Sequence, residues 1–529
     1  MKTTSSQATK PMVPTRLHPK FQAAVYPDKP AAIMAASGRS VSYRQLDEGS
    51  SRGAQLLRSL GLRPGDHIAV MMHNDLLFYE VYWAAQRSGM YFTPISCHLT
   101  AAEAAYVIDD CDAAVIVVSA PMQAVAVQLV DLCPKVRHFL SVTGAIAGYA
   151  RWETMAATMP SCAIPDEISG LSMYYSSGTT GKPKGIELPF AEQPIDVVPP
   201  TMQVFTQALG YDAETVYLMP APLYHAAPLG FSAHMMRLGG TVVVMEKFDP
   251  EAFLHAIERY RVTHAQVVPT MFVRMLRLAQ EVRSRYDLST LRNVVHSAAP
   301  CPIPVKEQMI AWWGPCVHEY YSSSEGGGCT FISAPDWMAH KGSVGRSLLG
   351  EIKIVTESGD AAPTGEPGMV YFVTSRKFCY RNDPEKTREA FSPQGWVTLG
   401  DVGRLDDEGY LYLTDRKSYM IISGGVNIYP QEAENVLSMH PQVADVAVFG
   451  VPHPEFGEEV KAVVQPVDMD EAGPELAADL MEFCRGHLAG LKCPKSIDFD
   501  PELPRQENGK LYKRLIRDRY WTGHTSRVL

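Results

Sequence analysis

Apolar and polar residues follow two alternating rhythms along most of the chain. From Arg44 to Leu60, Leu46, Leu56, Leu57 and Leu60 fall at mostly helical spacing, and Gly61 stops the run. His67 to Met72 then reads as a buried strand. Ala113 to Val118, Thr241 to Met245, Ala265 to Val268 and Asn293 to His296 are further apolar, β-branched strand candidates, with helical patterns such as Pro250 to Tyr260 between them. This alternation predicts α/β layers with largely parallel sheets.

The pattern changes after about Lys341. Glu357-Ser358-Gly359-Asp360, Thr364-Gly365-Glu366-Pro367-Gly368 and Asp406-Asp407-Glu408-Gly409 are turn signals separating short strands, which predicts an antiparallel, β-rich region. From Lys417 onward, strand patterns at Val443 to Phe449 and Val460 to Gln465, and a helix near Leu476 to Leu488, make a segment the size of a small domain. Leu188 to Thr201 has the polar, proline-bearing character of an insertion.

Composition narrows the class. At 529 residues the chain is too long for one ordinary core, and 46% hydrophobic with 20% charged residues is a globular balance. A net charge of -10 gives no electrostatic reason to bind nucleic acid or an anionic membrane. An anionic substrate therefore requires a local cluster of donors. The ten cysteines contain no CxxC pair, so reduced structural thiols are expected rather than a zinc ribbon or dithiol. Met1 to Lys20 lacks a long apolar core, no apolar run reaches membrane-spanning length, and Arg527-Val528-Leu529 is no peroxisomal address. A soluble, cytoplasmic protein is the expectation.

The most informative segment is Ser176-Ser177-Gly178-Thr179-Thr180-Gly181-Lys182-Pro183-Lys184-Gly185. Glycines allow close backbone approach, hydroxyls and N–H groups donate to oxygens, and two lysines supply charge, which together suit a polyphosphate. The spacing rejects a P-loop: Pro183 stands five residues after Gly178, and Lys182 precedes proline rather than a hydroxyl residue. Proline also lacks the N–H that such a helix start would donate.

Tyr175 to Gly185 resembles the signature loop of the adenylate-forming superfamily, which includes acyl-CoA synthetases, luciferases and peptide-synthetase adenylation domains. Further segments resemble the remaining motifs of that family in order. Leu223-Tyr224-His225 resembles the aromatic/His motif bordering the carboxylate pocket, which implies a positioning role for His225. Ser297-Ala298-Ala299-Pro300 is similar to the adenine-binding turn. Glu319-Tyr320-Tyr321-Ser322-Ser323-Ser324-Glu325 resembles the Tyr-Gly-x-Thr-Glu segment; Tyr321 is then expected to stack on adenine, Ser324 to contact phosphate and Glu325 to hold Mg²⁺. This chain departs from the pattern with Ser322 for Gly and Ser324 for Thr.

Gly395-Trp396 through Gly400-Asp401 resembles the ribose motif, with Asp401 accepting from the hydroxyls. Asp415-Arg416-Lys417 resembles the interdomain hinge, Arg416 also reaching the ribose. Ser423-Gly424-Gly425 is similar to the loop lining the pantetheine tunnel, and Leu503-Pro504-Arg505 to Gly509-Lys510 to the C-terminal lysine motif. The resemblance runs from about Tyr43 to Arg514. It implies a large N-terminal domain, residues 1–414, of layered α/β subdomains plus a β-rich subdomain, and a small mobile α+β C-terminal domain, residues 415–529, turning about 415–416.

The implied activity is an acid–CoA ligase: a carboxylate and ATP give acyl-adenylate and pyrophosphate, and CoA then displaces AMP. ATP, Mg²⁺ and CoA are the implied cofactor and co-substrates, with Lys510 acting in the first step. The acid is expected to be fatty, aryl or a steroid side-chain carboxylate. Leu223 to Phe231 has no acidic residue to pair a substrate ammonium, which disfavours amino-acid activation. An adenylate-only enzyme and a non-catalytic adenylate-binding relative are the alternatives, and a homodimer is left open.

Overall fold

The computed structural model describes residues 16–176, 183–416, 419–424, 426–505 and 511–522. The expected helix over 44–60 forms as Tyr43–Ser59. Ser42 and Gln45 make a reciprocal capping box at its start, and Gly61, at φ +86°, lies just past its end. The next strand, His67–Met71, is buried at all five positions, as expected for a parallel strand covered on both faces.

That strand belongs to a six-stranded parallel sheet in the order Ala150–Arg151, His138–Val142, Val115–Ser119, His67–Met71, Tyr91–Pro94, Leu171–Ser172. A second, nine-stranded sheet has six parallel strands at its centre. In order these are Pro30–Met34, Thr241–Val244, Val216–Met219, His264–Val267, Asn293–His296 and Val317–Ser322. Antiparallel strands finish both edges. One continuous apolar core joins the two sheets. It contains Val70 and Phe92 of the first, Val242 and Val244 of the second, and Trp83 and Met236 from the helices Leu76–Arg87 and Ala226–Leu238. The helix Pro250–Tyr260 forms over the residues its periodicity predicts, with Asp249 as its cap.

The change of pattern after Lys341 is real. Glu351–Val355, Gly368–Val373, Val397–Leu405 and Leu411–Arg416 make a four-stranded antiparallel sheet. The insertion-like stretch Leu188 to Thr201 runs into a helix, Pro200–Leu209, that its prolines did not announce; Pro200 occupies the first helical position, where its missing N–H costs nothing.

The C-terminal segment is a smaller α+β unit. Its long hairpin, Val443–His453 with Gly457–Pro466, outruns the predicted strands at its turn end, and Ser496–Phe499 adds in parallel. The predicted helix forms as Pro474–Arg485, stopping short of Leu488. The fold is therefore mixed α/β, with a large N-terminal and a smaller C-terminal domain. Asp415 and Arg416, the expected hinge, are still in register with Val402 and Asp401 at the end of the antiparallel sheet.

Candidate active site

Ser177 to Lys182 lie outside the described residues, but both stems of the glycine-rich loop are defined. Tyr174–Ser176 and Lys184–Glu187 pair antiparallel, with Ser176 opposite Lys184. The stems are fastened to the first sheet's helix Ala101–Asp110: Tyr175 donates to Asp110 Oδ2 at 2.7 Å, and Tyr106 donates to the carbonyl of Pro183 at 3.2 Å. Gly185 is required by packing, since a Cβ there would lie 2.3 Å from Met173 and 2.9 Å from the Tyr175 ring.

Beyond this hairpin, Cys379–Tyr380 adds a third strand and brings Tyr380 to two of the expected residues. Its hydroxyl donates to Glu325 Oε1 at 2.8 Å, while the Lys184 ammonium stands 5.4 Å from its ring centroid. Burial lowers the pKa of Lys184 and the Lys386 charge adds to this; Asp383, Glu389 and Glu325 oppose it. Lysine, phenol and carboxylate thus share one patch, although they are nearly 200 residues apart at the extremes. Tyr380 carried no motif signal.

Tyr321 and Asp401 also meet, the tyrosine hydroxyl donating to the buried carboxylate. Between Tyr321 and Glu325, Ser322 donates to the carbonyl of Gly328, Ser323 has a buried hydroxyl without a hydrogen-bond partner, and Ser324 is exposed. Glu319 and Tyr320, expected beside Tyr321 at the nucleotide, instead spend their polar ends inside the protein. Glu319 accepts from Lys306 at 2.5 Å, both side chains being buried, and the Tyr320 hydroxyl receives Gln266 at 2.6 Å. Successive strand residues point to opposite faces, so the side chains of Tyr320 and Tyr321 lie on different sides of the strand. A lysine on the apolar stripe Lys306, Met309, Trp313 was the available sequence signal for the buried pair.

The Ser297–Pro300 turn follows the strand Asn293–His296. Ser297 is buried, whereas Ala298 is exposed and has φ +75°, a left-handed conformation that an L-residue adopts only when its surroundings impose it. Ala299 is half-buried and Pro300 exposed. His225 is the N-cap residue of the helix Ala226–Leu238, its ring tilted on Tyr224 at 4.4 Å; it makes no side-chain cap bond.

The remaining expected residues lie from Asp415 onward. Asp415 is buried and accepts from the N–H of Gln431 at 2.9 Å. The backbone of Arg416 pairs with Asp401, while its side chain is outside the described set. Ser423 ends a strand and Gly424 turns at φ +56°, its N–H donating to Phe456; Gly425 and Lys510 are outside the described residues.

For Mg²⁺ the fit is that of a shared site. No group of three His, Cys, Asp or Glu side chains gathers to hold a metal among the described residues. Glu325 offers one hard carboxylate whose other contact, Tyr380, is a neutral donor, which suits an ion that takes its remaining ligands from phosphate and water. No helix among the described residues is long and apolar enough to cross a membrane.

Residues 20–375 match the family model described as AMP-binding enzyme, and residues 432–510 match AMP-binding enzyme C-terminal domain. Feruloyl-CoA synthase of Amycolatopsis sp is 33% identical over 496 residues, covering 93% of this chain and 96% of that one. Long-chain-fatty-acid–CoA ligase FadD13 of Mycobacterium tuberculosis is 29% identical over 506 residues, covering 94% and 97%. The structure of ATP-bound MatB from Rhodopseudomonas palustris superposes with a TM-score of 0.80 at 27% identity, over 96% of this chain and all of that one (100%). The chain belongs to the AMP-binding enzyme family, as an acyl-CoA synthetase-like member of the adenylate-forming superfamily.

Proposed function

We propose that the chain is an AMP-forming acid–CoA ligase for a fatty, aryl or other hydrophobic carboxylic acid. The observation that carries this reading is a convergence on the short segment from Tyr321 to Glu325. The Tyr321–Asp401 pair stands at one end and the Glu325–Tyr380–Lys184 group at the other. One end suits the hydroxyls and ring of a nucleoside, the other a polyphosphate.

A carboxylate is a poor acyl donor because its leaving group would be oxide. One carboxylate oxygen attacks the α-phosphorus of ATP, a P–O bond forms, and the bond to pyrophosphate breaks. The CoA sulfur then attacks the acyl carbon, and AMP leaves with the electron pair of the C–O bond. Neither step needs a protein nucleophile, so catalysis rests on positioning and on charges fixed in place beforehand.

Asp401, with Arg416, orients the ribose, Tyr321 and the Ser297–Pro300 turn hold the adenine, and His225 borders the acid. Ser324 meets a phosphate oxygen. Thr179, Thr180, Lys182 and Lys184 steady the departing pyrophosphate, and Lys510 stabilises the charge gathering in the first step. Mg²⁺, when bound, neutralises phosphate charge, and Glu325 is the residue that would hold it. The domain boundary lies at 415–416, and rotation there exchanges Lys510 for the Ser423-Gly424-Gly425 loop, which receives the pantetheine arm.

The test is pyrophosphate release across a panel of carboxylic acids, with and without CoA. Release with hydrophobic acids, together with CoA-dependent thioester, is expected. Release that yields no thioester would make the enzyme adenylate-only, and silence with every acid would leave a non-catalytic binder.

A further inference from the structure

Arg376 belongs to none of the motifs above, yet it lies against the segment that the proposed chemistry uses. Its Nε donates to the carbonyl of Glu325 at 3.2 Å. Its guanidinium lies against Gly326, where a Cβ would stand 2.7 Å from Nε and 2.9 Å from Cζ. Gly326 also has φ +65°, so glycine there serves both the turn and the space that the arginine fills.

The electrostatic setting of Arg376 is unusual for this protein. Arg381, five residues on, is held by Asp112 and Glu187; Arg87 is held by Asp47 and Glu167. Among the described residues no carboxylate pairs with Arg376. Burial lowers its pKa, and no neighbouring charge opposes or adds to that. Arg237 is another arginine whose pKa is lowered by burial, but it donates to the carbonyls of Leu17 and Ile195 and rests on the Trp83 ring. Among the described residues, one of the five N–H donors of Arg376 is committed, to Glu325. A half-buried cation with a rigid donor fork and no counter-charge is costly in isolation and favourable once an oxyanion meets it.

We propose that Arg376 is an oxyanion-binding residue of the active site, whose fork receives either a phosphoryl oxygen of ATP and pyrophosphate or a second carboxylate on the acid substrate. The proposal rests on the reading of Ser324 and Glu325 as the reaction centre. It adds a determinant that this chain's Gly326–Arg376 juxtaposition supplies and the family motifs do not.

The experiment uses the full-length enzyme and Arg376→Gln, whose amide can still donate to the Glu325 carbonyl but carries no charge. KM values are measured for ATP, for a monocarboxylic acid and for the dicarboxylic acid of the same skeleton, along with inhibition by inorganic pyrophosphate. A phosphoryl ligand predicts a rise of about tenfold or more in the KM for ATP and in the inhibition constant for pyrophosphate, with both acids alike. A carboxylate ligand predicts a similar rise for the dicarboxylic acid alone. If all four values stay within about twofold of wild type, or if only thermal stability falls, Arg376 is a structural cap on Glu325 and the proposal is overturned.

Gly326→Ala, whose methyl enters the space of the guanidinium, should reproduce the same selective shift, and it serves if the first variant folds poorly. Wild-type enzyme that releases no pyrophosphate with any acid defeats the ligase reading itself. An active wild type with an indifferent Arg376→Gln defeats this inference alone.

Discussion

The hydroxyl of Tyr321 donates to Oδ2 of Asp401, joining the last parallel strand of the nine-stranded sheet to the third strand of the antiparallel sheet. Two subdomains are thereby fastened at the point where a nucleoside is proposed to sit. Asp401→Ala removes the buried acceptor for tyrosine and ribose together, and the KM for ATP should rise about 10- to 100-fold, as expected for hydrogen bonds to a charged group. Tyr321→Phe keeps the ring and should cost less than about tenfold. ATP titrations of pyrophosphate release measure both; an unchanged KM in Asp401→Ala would remove Asp401 from the nucleotide site.

Lys306 and Glu319 form a buried ion pair beside the strand Asn293–His296, with the ammonium 4.7 Å from the Trp337 ring and His296 3.5 Å from the carboxylate. Losing one partner strands a buried charge. Lys306→Met is therefore expected to cost about 3–5 kcal/mol, while the double variant Lys306→Met/Glu319→Leu should recover most of it. Denaturant unfolding of wild type, Lys306→Met, Glu319→Leu and the double variant gives the coupling. Additive losses would mean that the pair contributes no mutual stabilisation.

Much of the fold was legible because burial writes itself into local pattern. The strand Asn293–His296 and the helix Pro250–Tyr260 have the bounds that their apolar spacing predicts. What the pattern could not give is choice of partner. Lys306 on its apolar stripe signals a buried charge, but nothing in the sequence names Glu319, thirteen residues away, as its partner. Nothing near Glu325 points to Tyr380 or Arg376, whose side chains reach it from the short strand and the loop that follow Val373. Ala298 looks like an ordinary small residue until its φ is known. Of the residues that the motif resemblance groups together, Tyr321 meets Asp401, whereas the polar ends of Glu319 and Tyr320 are taken up by Lys306 and Gln266.

Acid should destabilise the larger domain through its buried histidines. His318 accepts the N–H of Ala334 on Nδ1 at 3.1 Å, so its neutral Nε2–H faces Asn293 Oδ1 at 2.8 Å. Burial, reinforced by the charges of Lys306 and His264, lowers its pKa from 6.5 to about 4; burial likewise takes His264 to about 4. Above pH 6.5 neither the folded nor the unfolded form is protonated, and their stabilising contribution is complete. As pH falls from 6.5 towards 4 the unfolded chain takes up protons that the fold refuses, at a cost of up to about 3 kcal/mol for each histidine. Burial raises the pKa of Glu319, which works in the opposite direction, so the comparison must be with a variant rather than with a fixed slope. His318→Gln cannot titrate and should lose less stability between pH 7 and pH 4.5 in denaturant unfolding. Parallel profiles would show that His318 does not contribute to the acid sensitivity.

Two variants in the smaller domain separate the two half-reactions. If Lys510 stabilises the charge gathered at phosphorus, Lys510→Ala should slow pyrophosphate release by about 100- to 1,000-fold, the usual cost of losing one electrostatic contact to a transition state. The same variant should convert supplied acyl-adenylate and CoA to thioester at nearly the wild-type rate. Gly424 predicts the converse. Its φ of +56° is strained for a side-chain-bearing residue, and a Cβ there would stand 3.3 Å from the Phe456 ring. Gly424→Leu should therefore release pyrophosphate normally while thioester formation from supplied adenylate falls by at least about tenfold, provided that the loop receives the pantetheine arm. Opposite losses in the two variants are what a rotating domain with two working faces requires. Equal losses of both half-reactions in each would mean that one static arrangement serves both steps, and the hinge at Asp415 and Arg416 would have no catalytic role.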